Sequence, residues 1–138
     1  MKQPRLFLHV QDAGLAAQLL QSSAVRRFVV VRSSDSAPWS EQLQQQPCDL
    51  AFIQADKHSQ ADYQRLLTSK LLAEIDFIVV SDGCPDPALD QLMRSGAGYH
   101  FRQPLDIARI IDTLQDFYEQ LSTSQQQAKT NVSALDQF

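Results

Sequence analysis

Cysteine is scarce in this 138-residue chain: Cys48 and Cys84 are its only two, and they lack CxxC spacing. That number excludes a disulfide framework and leaves both as reduced packing thiols. Long apolar runs are missing as well. The longest, Phe28 to Val31, Leu50 to Ile53 and Phe77 to Val80, fall far below the ~20 residues that a membrane span requires. The opening residues have neither a long apolar core nor a small-residue cleavage site, so no secretory signal is read there and a cytoplasmic protein is expected. A basic excess is absent too: 12 Lys and Arg against 16 Asp and Glu give a net charge of −4. Without a basic stripe, direct nucleic-acid binding is not expected. The first turn, Gln11-Asp-Ala-Gly14, lacks the glycine-rich loop that cradles a nucleotide or flavin phosphate. His9, His58 and His100 have no ligand spacing, which argues against zinc.

What is present is an alternation of short apolar runs and amphipathic stretches. Arg5 to Val10, Phe28 to Val31, Asp49 to Gln54, Asp76 to Ser81 and Tyr99 to Arg102 read as strands, bounded by turn-forming Ser, Asp, Gly or Pro. Between them, apolar residues recur at helical spacing: Leu15, Leu19 and Leu20; Trp39 and Leu43; Tyr63, Leu66, Leu67 and Leu71; Leu89, Leu92 and Met93. Ile107, Ile110, Ile111, Leu114, Phe117, Tyr118 and Leu121 form the most regular stripe, after which Ser-Thr-Ser-Gln-Gln-Gln breaks the pattern. Residues 1–121 are therefore expected as one domain and 122–138 as a polar tail or linker. Strands that are apolar throughout and alternate with helices predict a parallel sheet covered on both faces. The expected fold is a three-layer, doubly wound α/β domain.

Several segments together resemble response-regulator receiver domains, the CheY-like family with strand order 2-1-3-4-5. Val10-Gln-Asp12 lies where that family has an apolar residue and two acids. Asp49-Leu-Ala-Phe-Ile-Gln54 lies where it has the phospho-accepting aspartate at the last position. Ile78-Val-Val-Ser81 resembles the strand ending in the switch threonine or serine, and Gly96-Ala-Gly-Tyr-His-Phe-Arg-Gln-Pro104 the segment leading to Lys-Pro. The chain departs from the family at Gln54, Gln11 and Gln103, and retains the residue type at Asp12, Ser81 and Pro104. A Gln amide is neither a nucleophile nor a charged metal ligand, so no acyl phosphate can form at position 54. The joint loss implies a degenerate pseudo-receiver that is not an enzyme and carries no cofactor.

Two other readings use the same edge of the sheet. Asp12, Asp56 and Asp82 could re-form a Mg²⁺ site with Asp56 as a displaced acceptor, or the emptied crevice could sense a small molecule. Against the first, Asp56 and Asp82 suit loop chemistry and Asp12 a structural hydrogen bond. Ser81 lacks the motif and base of a triad nucleophile. The resemblance places His100 where receivers couple an aromatic residue to the strand-four hydroxyl. It also implies a protein partner or output domain, with homodimerisation through the last helix, for which Phe117 and Tyr118 are candidates.

Overall fold

Asp49 illustrates how local sequence starts the sheet: its carboxylate accepts the backbone N–H of Arg5 at 2.7 Å, fastening the beginnings of two neighbouring strands. The computed structural model describes residues 3–55, 60–68, 75–82, 86–94 and 98–136, with the side chains of 123–136 left outside that description. The strands are β1 (Arg5–His9), β2 (Val29–Arg32), β3 (Leu50–Gln54), β4 (Asp76–Ser81) and β5 (Gly98–Arg102). They form one sheet in the order β2-β1-β3-β4-β5, parallel throughout. The helices are α1 (Ala13–Gln21), α2 (Ser23–Arg26), α3 (Trp39–Gln45), α4 (Gln60–Leu67), α5 (Pro87–Arg94) and α6 (Ile107–Asp136). The expected doubly wound (βα)5 architecture and strand order are those of the molecule.

Side chains along a strand point alternately to opposite faces, so the sheet separates two cores. Leu6, Leu8, Leu50, Phe52, Ile78 and Val80 lie on one face, under Leu15 and Leu19 of α1 and Ile110, Leu114 and Phe117 of α6. Phe7, Ala51, Ile53, Phe77 and Val79 lie on the other, under Trp39, Leu43, Tyr63, Leu66, Leu89 and Leu92. Cys48 is a buried free thiol in that second core; Cys84 lies outside the described residues. Burial, offset partly by Arg5, pushes the Cys48 thiol pKa up.

Four helices start on side chains that meet orphan N–H groups. Asp12 accepts from Leu15, Ser22 from Val25, Asp86 from Ala88 and Leu89, and Asp106 from Arg109. Two features differ from the sequence expectation. The four-residue α2 was not foreseen, and it shifts β2 to begin at Val29 rather than Phe28. The helix α6 does not stop where its apolar stripe lapses near Leu121 but runs to Asp136. Gln, Ala, Lys and Leu are good helix formers, and extending an existing helix avoids the nucleation penalty.

Candidate functional site

The strand β3 ends at Gln54, which is partly buried at the carboxyl edge of the sheet. Its Oε1 accepts two hydrogen bonds, from the backbone N–H of Gln11 at 2.8 Å and of Asp12 at 2.9 Å. Two N–H donors can be met only by the oxygen of the amide, so the side chain's orientation is dictated by its partners. The sequence placed Gln11, Asp12 and Gln54 at one edge, and the structure brings these three into direct contact.

Asp12 has a second commitment. Its Oδ1 accepts the N–H of Leu15 at 3.0 Å as the cap of α1, the structural hydrogen bond anticipated from sequence. Asp56 lies outside the described residues, and Asp82 follows β4 at the same edge. Among the described residues no three His, Cys, Asp or Glu are grouped to hold a metal ion. Gln103 is exposed beyond β5; its backbone N–H donates to the Ser81 carbonyl at 3.1 Å, and the Gln103–Pro104 peptide bond is cis.

Ser81 is 8% exposed at the end of β4, and its Oγ hydrogen-bonds to His100 Nε2 at 2.7 Å. His100 stands opposite Val79 in the β4–β5 register, so its ring lies on the face of Val79 and Ser81 rather than beneath α6. Desolvation lowers the His100 pKa; Arg102 adds to the shift and Asp90 opposes it. The hydroxyl–ring contact that the family resemblance offered for His100, beside its plainer reading as a partly exposed strand residue, is present in the structure, and the residue is also partly exposed. His9 is far from it, on β1, bonded through Nδ1 to Ser33 Oγ at 2.8 Å and tilted against Trp39. His58 lies outside the described residues. A hollow of about 430 Å³ opens beside His9, lined by Gln11, Ser34, Asp35, Trp39 and Asp62.

With the strand order and the edge geometry described, solved structures share the fold. The signal receiver domain of a LuxO repressor protein from Vibrio parahaemolyticus superimposes with a TM-score of 0.68 at 11% identity, covering 90% of this chain and 96% of that one. This is the receiver-domain fold. A pilus assembly-related protein from Burkholderia pseudomallei is similar at TM-score 0.59 and 24% identity, over 86% of this chain and 91% of that one. An atypical orphan response regulator with a phosphorylation-independent regulatory mechanism is similar at TM-score 0.60 and 16% identity, over 83% and 95%. No family model and no curated protein sequence matches the chain.

On this receiver fold, the last helix and the edge strand β5 frame a groove of about 320 Å³ lined by Tyr99, Arg109, Thr113, Asp116, Phe117 and Gln120. Phe117 is buried and meets Tyr99 edge-on at 5.6 Å. Tyr118 packs against Phe28 at 5.4 Å with the Arg27 guanidinium over its ring at 5.6 Å. Both aromatic residues singled out from the helical stripe are thus engaged within the fold. The exposed aromatic residue of this surface is Tyr99, at 55%, which the sequence reading passed over as an ordinary strand residue. Its place in a strand was visible, but that it stays exposed among the described residues was not.

Proposed function

We propose that this chain is a phosphorylation-independent pseudo-receiver, a non-enzymatic regulatory domain of signal transduction that works through protein–protein contact. The observation that carries the reading is Gln54. At the position that the receiver resemblance assigns to the phospho-acceptor stands a neutral amide, its oxygen already satisfied by the N–H groups of Gln11 and Asp12. A carboxylate nucleophile is missing there, and the neighbouring Asp12 carboxylate caps a helix. Incubation with acetyl phosphate and Mg²⁺ followed by intact-mass measurement tests it. An unchanged mass is expected; a gain of one phosphoryl group would overturn the reading in favour of a displaced acceptor such as Asp56.

Contact is assigned to the β5–α6 surface, where Tyr99 is exposed beside Arg109 and Asp116. Arg109 and Asp116 are two helical turns apart on α6, so a two-fold axis between them would pair each with the opposite charge of a second copy. Homodimerisation through this face is expected, and light scattering at high micromolar concentration gives twice the 15.5 kDa chain mass. A monomeric mass there, or a dimer unaffected by Tyr99→Ser, removes the assignment. The helix α6 would carry the connection to an output domain in a longer regulator.

The hollow beside His9 and Trp39 favours a second reading, a small-molecule sensor at the sheet edge. Trp39 is the single tryptophan of the chain, so its fluorescence reports occupancy directly.

A further inference from the structure

Gln54 replaces the expected acid, but the loss of charge does not account for its geometry. The β1–β3 ladder ends at the His9–Ile53 pair, so the N–H groups of Gln11 and Asp12 lie past the last rung and cannot be satisfied by β3 backbone. Consecutive N–H groups converging on one point form a seat suited to an oxyanion or another strong acceptor. Gln54 Oε1 fills that seat at 2.8 and 2.9 Å without bringing a charge to it. The same Asp12 whose N–H is held in this way turns its carboxylate onto the first turn of α1. A continuous set of contacts therefore runs from the end of β3, through the β1–α1 turn, into the start of α1.

We infer that Gln54 is a built-in strut whose length, and not merely its neutrality, is the property in use. It ties the carboxyl ends of β1 and β3 together with a side chain, so that the turn stays in one arrangement without any ligand. Aspartate or asparagine would withdraw the oxygen by one C–C bond, about 1.5 Å. Contacts of 2.8 and 2.9 Å would then open past hydrogen-bonding range. Glutamate keeps the reach and replaces neutral bonds by charge-assisted ones. The inference builds on the reading of position 54 as an inactive acceptor, but it concerns what the residue does in place of that chemistry.

Amide hydrogen exchange read by NMR separates the possibilities at single residues. In the native protein the amides of residues 11 and 12 are expected to be protected. In Gln54→Ala and Gln54→Asp they should exchange about tenfold faster, the ratio that corresponds to losing a net hydrogen bond of ordinary strength. The Leu15 amide should follow in part. Gln54→Glu should remain as slow as the native chain. Unchanged exchange in Gln54→Ala, or protection in Gln54→Asp equal to that in Gln54→Glu, overturns the strut. If the shorter variants do not fold, Gln54→Glu still decides: with the oxygen kept at the same reach, the residue 11 and 12 amides stay as protected as in the native chain, and faster exchange there refutes the seat. Acetyl phosphate treatment of the native chain keeps the two readings apart, since phosphorylation would sink the pseudo-receiver reading and leave the exchange result intact.

Discussion

Adding one methyl group at Gly98 tests how tightly β5 is held against β4. Gly98 opens β5 with φ of +133°, and its register partner is Phe77. A Cβ on this backbone would lie 1.9 Å from the Phe77 carbonyl oxygen and 2.9 Å from its carbon. Phe77 is fully buried in the second core, so it cannot retreat. Two exits remain: φ relaxes to negative values and the first rung of the β4–β5 ladder is lost, or the edge strand moves outward. Backbone strain at such a φ costs about 1 to 3 kcal/mol, and forced overpacking about 1 to 3 kcal/mol more. Gly98→Ala should therefore destabilise by roughly 4 kcal/mol, which for a domain of this size lowers the melting temperature by roughly 15 °C. Thermal melting followed by circular dichroism measures it. Gly14→Ala provides the contrast. Among the described residues its Cβ would meet the far end of the Asp12 side chain, an oxygen at 3.2 Å, and alanine gains up to about 1 kcal/mol over glycine within a helix. That variant should melt close to the native chain. A Gly98→Ala melting temperature within about 3 °C of native would refute the steric reasoning, because an error of that size exceeds the spread of both contributions.

Three further perturbations address other parts of the fold. Asp62 is buried between α3 and α4, where it accepts the Ser40 N–H and hydroxyl and lies 3.9 Å from Arg65; Asp62→Ala should cost about 2 to 4 kcal/mol in urea denaturation by stranding those donors. Leu114→Ala removes a fully buried side chain from the α6 seam and should cost about 3 to 5 kcal/mol by the same measurement. Burial holds His100 below the ordinary His range, so the unfolded chain takes up the proton more readily. Its contribution to stability therefore falls as pH drops through about 6.5, and His100→Gln should flatten that part of the pH–stability curve. Asp76, raised by desolvation, acts oppositely just above the carboxylate range, where its contribution declines as pH rises.

Periodicity made most of the scaffold legible. Leu50-Ala-Phe-Ile53 and Phe77-Ile-Val-Val80 are buried on both faces, so apolar runs without alternation identified them. The α6 stripe at three- and four-residue spacing likewise identified the cover of the first core. Features that depend on distant partners were less visible. Gln54 looks the same in sequence whether its amide dangles or bridges, and the residues it reaches lie 42 and 43 positions earlier. The breadth of the α6 stripe suggested spare aromatic surface at Phe117 or Tyr118; Phe117 is buried, and Tyr118 is packed. The Tyr118 surface is taken by Arg27 and Phe28, which follow a helix of four residues, too short to produce a periodic pattern. The paired Ser81 and His100 were traceable through family resemblance, since a diagonal contact across two strands leaves no mark within either strand alone.

The continuity of α6 past Leu121 has a geometric consequence. Thirty residues at 1.5 Å each make a rod of about 45 Å, and each residue advances its circumference by about 100°. Its first half is seated on the sheet by Ile110, Leu114 and Phe117. A module joined to the far end would therefore inherit both a spacing and an angular phase from the domain. Inserting one residue after Leu121 would swing an attached module to a different side of the rod, whereas inserting seven would return it almost to its original bearing, about 10 Å further out.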